Sequence, residues 1–158
     1  MESNPHTYQA PLQIGDVPKR ETRTQFAALC YRRRKSDCEV LLLTSLDTKR
    51  WIIPKGWPMD GMTPADAAAR EAWEEGGVRG HVFDACIGIY SYTKVMQGEP
   101  DLPVVVAVFP LEVSRLVDEY PEAGLRKRKW FPPKKAAARV QELELKQLLR
   151  EFDPSRLR

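Results

Sequence analysis

At 158 residues, 42% apolar, 30% charged and with a formal net charge of +3, the chain has the make-up of one soluble globular domain with a single core, and its composition is neither disordered nor fibrous. The longest apolar run, Val104 to Phe109, is far too short to span a bilayer, and the N-terminus lacks a basic segment followed by an apolar run; both features predict a cytoplasmic protein without a signal peptide. Cys30, Cys38 and Cys86 are odd in number and lack metal-site spacing, and Cys30 and Cys86 lie in apolar strand-like runs, which predicts buried free thiols in a reducing compartment.

Residues 1–21 contain Pro5, Pro11 and Pro18 and little hydrophobic periodicity, the pattern of a flexible arm. One domain is expected over 22–152, followed by a short tail over 153–158. Thr22 to Tyr31 reads as a strand with Phe26, Ala28 and Cys30 on one face, and Arg32 to Asp37 as a charged turn. Glu39 to Leu46, centred on VLLL, reads as a buried strand, Asp47 to Arg50 as a polar turn, and Trp51 to Ile53 as a short strand before Pro54. Lys55 and Gly56 open the next loop. A ligand can approach the backbone closely there, because Gly56 has no side chain.

The stretch from Gly56 to Val78, GWPMDGMTPADAAAREAWEEGGV, organises the rest. It reads as a loop, a helix start, about two turns of helix and a glycine stop. Thr63 is a good N-cap, Pro64 suits the first helical position, and Asp66 places a carboxylate near the positive helix end. Gly76 and Gly77 end the helix. Glu71, Glu74 and Glu75, at i, i+3 and i+4, share one face beside the small apolar stripe Ala65, Ala68, Ala69 and Ala72. Glutamate-rich faces are usually just solvated, and Arg70 can pair with Glu74 at i+4. Here the acidic face borders the buried side, where like charges repel more strongly. A hard divalent cation, Mg²⁺ or Mn²⁺, would relieve that conflict.

Beyond the helix, His81 to Tyr92 alternates as a strand and Thr93 to Pro103 reads as a loop. Val104 to Val113 is near-continuously apolar and so central, forming a long hairpin with the preceding strand. Ser114 to Leu125 is a connection rich in acids. Arg126 to Phe131, RKRKWF, reads as a last strand with Arg126 and Arg128 on one face and Lys127 and Lys129 on the other. Pro132 and Pro133 break it, and a helix follows from Lys134 to about Phe152 with Leu145, Leu148, Leu149 and Phe152 on one face. The fold class is therefore α/β, a mixed β-sheet sandwiched between α-helices.

Gly56, Arg70, Glu71, Glu74, Glu75, Gly77 and Val78 match at every spacing the signature of the Nudix hydrolases, with Ala72 at its apolar position. The signature has a Glu eight residues before Arg70, where this chain has Met62. WIIPKGW, REAWEEGGV and GLRKRKWF further resemble the diphosphoinositol polyphosphate phosphohydrolases, a subfamily that also cleaves diadenosine polyphosphates. The resemblance covers roughly Thr22 to Phe131. It implies the Nudix fold and a metal-dependent pyrophosphohydrolase. Glu71 and Glu75 would be metal ligands, Glu74 a third ligand or the base for the attacking water, and Arg70 the residue that orients a signature Glu. Such a reaction depends on positioning and charge stabilisation, which a divalent metal supplies.

A polyphosphate substrate needs further cations. Arg126, which matches a basic substrate-binding position of the subfamily, is the first candidate. Arg23, Arg128 and Lys55 with Gly56 complete the expected binding set. The plainer reading of RKRK is a solvated strand edge protected by charge. The Thr93 to Pro103 loop lacks the Arg-containing segment common in the subfamily, and Lys94 is the available substitute. Trp57, inside the phosphate loop, is placed to stack on a base, whereas Trp51, Trp73 and Trp130 read as packing. His6 and His81 stand alone. A small-molecule polyphosphate is thus the expected partner, with neither nucleic acid nor membrane. The competing readings are a Nudix hydrolase of a nucleotide sugar or nucleoside triphosphate, and a non-catalytic Nudix-fold binding module.

Overall fold

The computed structural model describes residues 23–157, so the expected flexible arm at 1–21 lies outside the described residues. One mixed sheet is built from β1 (Arg23–Arg34), β2 (Asp37–Thr44), β3 (Trp51–Ile52), β4 (Lys55–Gly56), β5 (Val78–Val82), β6 (Gly88–Lys94), β7 (Leu102–Leu116) and β8 (Arg128–Phe131). Its spine runs β3-β2-β1-β7-β5, with β4 on β1, β6 on β7 and β8 on β2. β1 and β7 pair in parallel and every other pair is antiparallel.

The two central strands are apolar on both faces because helices cover both. On one side Ala28, Cys30, Leu41, Leu43 and Phe109 meet Ala65, Ala68 and Ala72 of α1 (Pro64–Gly76). On the other, Ala27, Leu29, Tyr31, Val106 and Val108 meet α2 (Pro133–Arg139) and α3 (Leu143–Arg150) through Ala136, Leu145 and Leu149. The alternation of β1 and β2 thus feeds two cores, with odd residues of β1 on the α3 side and even residues on the α1 side. No described helix is long and apolar enough to cross a membrane.

Five expectations need correction. The strand over His81 to Tyr92 is two strands, β5 and β6, which pair with different halves of β7. Pro110 of β7 has no N–H to offer, and the ladder opens around it, with Phe83 N–H donating to Pro110 O at 2.9 Å and Ile87 N–H to Val108 O at 2.9 Å. The intervening loop leaves Cys86 exposed, whereas Cys30 and Cys38 are buried. The C-terminal helix is also two. Extended backbone at Val140 (φ −85°, ψ 162°) drops that side chain into the core and turns Glu142 toward Arg50, whose guanidinium lies 2.7 Å from its carboxylate. The hairpin turn is confined to Lys35 and Ser36, because cross-strand pairs of β1 and β2 continue to Arg34 and Asp37. Finally, β8 begins at Arg128, so Arg126 and Lys127 belong to the preceding connection.

α1 runs 13 residues, longer than two turns. The Thr63 hydroxyl accepts from Asp66 N–H at 3.1 Å, and Gly77 ends the helix in the left-handed region (φ 65°), its N–H donating to Trp73 O at 3.0 Å. A Cβ at Gly77 would also press into Tyr120 and Val117 O. Gly77→Ala should therefore cost more than the roughly 1–2 kcal/mol of a left-handed alanine. Chemical denaturation should show a lowered midpoint, and an unchanged midpoint would mean the connection is not packed on the helix end.

Candidate active site

α1 carries the candidate carboxylates to one end of the sheet. Its alanines are small enough for the helix to lie close on β1 and β2, which presses the glutamate face against the loop after β3. Gly56 gives way to it: a Cβ there would overlap the Glu71 carboxyl. Glu75, one turn on, is 7% exposed. Both carboxyls are harder to ionise than usual. Burial is the main cause in each case. Glu71 is pushed up to about 7, with Glu74 adding repulsion. Glu75 is pushed up to about 8, even though Arg126 and Lys55 pull it down. Glu75 Oε2 is buried with no hydrogen-bond partner.

Glu74 is held differently. Arg70 Nε donates to its Oε1 at 2.9 Å, the i, i+4 pairing that spacing allows. The three signature glutamates are therefore not gathered on one point, and among the described residues no group of three or more His, Cys, Asp or Glu is close enough to hold a metal ion. The donor set nonetheless suits a hard cation. Two neighbouring carboxyls that burial makes hard to ionise, one with a buried oxygen that has no partner, are the oxygen ligands a hard cation takes. Glu71 and Glu75 would hold such an ion.

One acidic residue escaped the sequence reading. Glu122 lies in the connection after β7, and its charge raises both Glu71 and Glu75. Backbone bonds latch this connection to the end of α1: Val117 N–H donates to Gly77 O at 2.9 Å and Glu122 N–H to Glu74 O at 3.0 Å. The only sequence signal was an acid cluster just before RKRK. It does not say which acid turns inward.

The expected binding residues divide. Lys55 and Gly56 stand beside the carboxylates, with β4 opposite Ala27 and Phe26 of β1. Lys55 Nζ lies 5.0 Å from the Tyr92 ring centroid, and its pKa is lowered, by burial first, although Glu75 opposes that. Tyr92 donates its hydroxyl to Gln25 Oε1 at 2.6 Å. Arg23 is exposed where β1 begins, on the same face as Lys55 and four residues along the strand from Ala27, about 13 Å away. Arg128 is brought elsewhere. Its Nη1 donates to Gly76 O at 2.9 Å and Val117 O at 2.7 Å and its Nη2 to Asp118 at 3.0 Å, so it caps the carbonyl end of α1. Arg126 is turned inward, 3.9 Å from Glu75 and 3.5 Å from Glu122. Trp57 is exposed on the rim, with Lys94 Nζ 5.2 Å from its ring centroid.

A glutamate-bearing helix pressed onto a mixed sheet between two helical layers, with a glycine yielding to one carboxyl, defines an α/β protein with a carboxylate centre at a helix face. The NUDIX domain model matches residues 22–152, and the chain belongs to the Nudix family. Diphosphoinositol polyphosphate phosphohydrolase 3-alpha of Mus musculus is 32% identical over 107 residues, covering 66% of this chain and 61% of that protein. Diphosphoinositol polyphosphate phosphohydrolase 2 of Rattus norvegicus is 28% identical over 123 residues, covering 77% and 64%. The chain thus spans less than two thirds of the length of these curated relatives. Among solved structures, a C. elegans Ap4A hydrolase in a binary complex matches with a TM-score of 0.60 at 24% identity, covering 82% of this chain and 94% of that one. The E. coli dihydroneopterin triphosphate pyrophosphohydrolase gives 0.62 at 19%, covering 82% and 93%. These structural likenesses carry the fold.

Two predictions follow from the carboxylate geometry. Mg²⁺ should raise the melting temperature of the wild type, because a ligand of the folded state stabilises it, and should leave Glu75→Gln unmoved. Equal shifts in both proteins would place the ion elsewhere. Met62 is exposed in the loop before α1, its N–H donating to Met59 O at 3.1 Å. Met62→Glu adds a carboxylate where the family signature has one and should lower the Mg²⁺ concentration giving half the melting shift. An unchanged titration would mean that the loop is already braced without it.

Proposed function

We propose that this chain is a divalent-metal-dependent pyrophosphohydrolase that cleaves a phosphoanhydride bond in a diphosphoinositol polyphosphate or a diadenosine polyphosphate. The observation that carries the reading is half-buried Glu71 beside buried Glu75 with its orphaned oxygen, on the helix whose spacing matches the family signature. Names of the matched relatives support the substrate class.

Glu71 and Glu75 would hold the metal, Mg²⁺ or Mn²⁺, which would neutralise phosphate charge and activate water when bound. Glu74 accepts a proton from the attacking water or serves as a further ligand, and Arg70 fixes its carboxylate through the 2.9 Å contact. Lys55 stands beside Glu75 with its charge poorly solvated, and a phosphate oxygen is the partner that would satisfy it. Gly56 leaves room for the phosphate chain to pass close to the backbone. Arg23 extends the cationic face away from the reaction centre.

Trp57 favours the nucleotide half of this reading. It is a large exposed ring at the rim of the loop, and a base would gain stacking area there that an inositol would not. A nucleotide sugar or nucleoside triphosphate would use the same centre. A binding module without turnover is disfavoured by the complete set Glu71, Glu74 and Glu75.

The test is a panel of diphosphoinositol polyphosphates, diadenosine polyphosphates and nucleotide sugars, assayed with Mg²⁺ and with Mn²⁺. Turnover should require the metal and fall by at least about two orders of magnitude in Glu75→Gln. Full activity in both Glu71→Gln and Glu75→Gln would sink the catalytic reading. Trp57→Ala should raise KM for a diadenosine polyphosphate by roughly tenfold, the worth of one base–aromatic stack, and leave a diphosphoinositol substrate unchanged. Equal effects on both would return Trp57 to packing.

A further inference from the structure

We infer that Arg126 is a positioning residue of the carboxylate centre rather than a grip on remote phosphates. This inference rests on the metal-dependent reading above. The Arg126 side chain is 10% exposed. Its Nη1 donates to Thr44 O, at the end of β2, at 3.2 Å. Its Nη2 stands between two carboxylates, 3.5 Å from Glu122 Oε1 and 3.9 Å from Glu75 Oε1. One planar group thus ties together the end of β2, the last turn of α1 and the connection after β7.

The backbone leaves this side chain little slack. Thr44 N–H donates to Lys127 O at 3.0 Å, and Lys127 N–H donates to Thr44 Oγ1 at 2.9 Å. The residue next to Arg126 is therefore fastened to the same threonine that its guanidinium reaches. Swinging the side chain out to a phosphate would break the Thr44 contact, take the arginine from Glu122 and leave Glu75 with Lys55 alone. Leaving a buried charge without its partner is strongly unfavourable. The substrate-binding role expected for this position from RKRKWF would need that exchange; the role in the carboxylate centre needs none.

Guanidinium shape matters as much as charge. A rigid fork reaches a carbonyl and two carboxylates at fixed angles, which a single ammonium at the end of a flexible stem does not reproduce. Arg126 also differs from Arg70, which holds Glu74 on the outer side of the helix. Between them, the two arginines set the directions of Glu74 and Glu75 from opposite sides.

Arg126→Lys is the discriminating variant, because it keeps the positive charge and removes the fork. Mn²⁺ is titrated into the full chain by calorimetry without substrate, and kcat and KM are measured on a highly phosphorylated and a small substrate from the panel. The Mn²⁺ Kd should rise about tenfold, the worth of one charge-assisted contact. kcat should fall by a similar factor on both substrates, with KM moving less than about threefold. Melting in the absence of metal checks that the variant is folded. If Arg126→Lys does not fold, Arg126→Gln, which retains a donor for Thr44 O, takes its place with the same expectation for kcat and KM; its Mn²⁺ Kd is not compared, because it also removes a positive charge. An unchanged Mn²⁺ Kd, or a KM raised only for the highly phosphorylated substrate, would overturn the inference and make Arg126 a phosphate ligand. Absence of Mn²⁺ binding by the wild type would instead remove the metal-dependent reading itself.

Discussion

The rest of the site depends on one electrostatic constraint. Two glutamates of one helix face are held against a sheet that is buried on both sides, and the cations nearby do not fully offset them. Burial raises Glu71 to about 7 despite Arg126, and Glu75 to about 8 despite Arg126 and Lys55. Placing like carboxyls together in low dielectric is unfavourable, and folded proteins tolerate it mainly where function uses it. The alanines make it unavoidable here. Ala65, Ala68 and Ala72 let α1 settle close to β1 and β2, and every increment of that closeness takes water from Glu71 and Glu75.

The connection after β7 closes the other side of the centre. It is fastened to α1 by Val117 N–H on Gly77 O and Glu122 N–H on Glu74 O, and Arg128 ties both to β8 by bonding Gly76 O and Val117 O. Gly77 permits this because a side chain there would occupy the place of Tyr120. Helix capping and site construction are therefore the same act. The left-handed residue that ends the helix also admits the segment that brings Glu122 to the carboxylates.

How much of this is legible in the sequence follows the range of the interaction responsible. The helix is local: Thr63, Pro64, the alanine stripe and Gly77 specify it through caps, propensity and period, and it forms where they place it. The hairpin of β6 and β7 is nearly local, and so are the buried strands β1 and β2. The errors come from tertiary pairing. A period-two pattern over His81 to Tyr92 does not reveal that Pro110, on another strand, opens the ladder opposite it. Nor does the leucine face after Pro133 reveal that Val140 must leave the helix to fill the core. RKRK is the sharpest case. Its alternation fits a solvated edge, a phosphate grip or an internal clamp equally well, and only the three-dimensional partners of Arg126 and Arg128 separate these. Glu122 was hidden for the same reason.

The arrangement couples stability to occupancy. Glu75 Oε2 has no partner in the protein, and a buried unsatisfied acceptor typically costs about 1–3 kcal/mol. Whatever supplies positive charge to that oxygen recovers part of the cost and adds its own binding free energy to the folded state. Residues that hold α1 against the sheet therefore act on the site without touching a ligand. Gly76 is one: a Cβ there would lie 3.3 Å from the Leu43 side chain, so the last turn rides directly on β2. Lifting that turn by a methyl group would ease the Glu71–Gly56 contact and hydrate Glu75. The site would become cheaper to keep empty, and the two carboxyls would lose the burial that makes them hard to ionise. Close packing of small residues and the chemistry of the glutamates are thus one design constraint, set by how near the helix can come to the sheet.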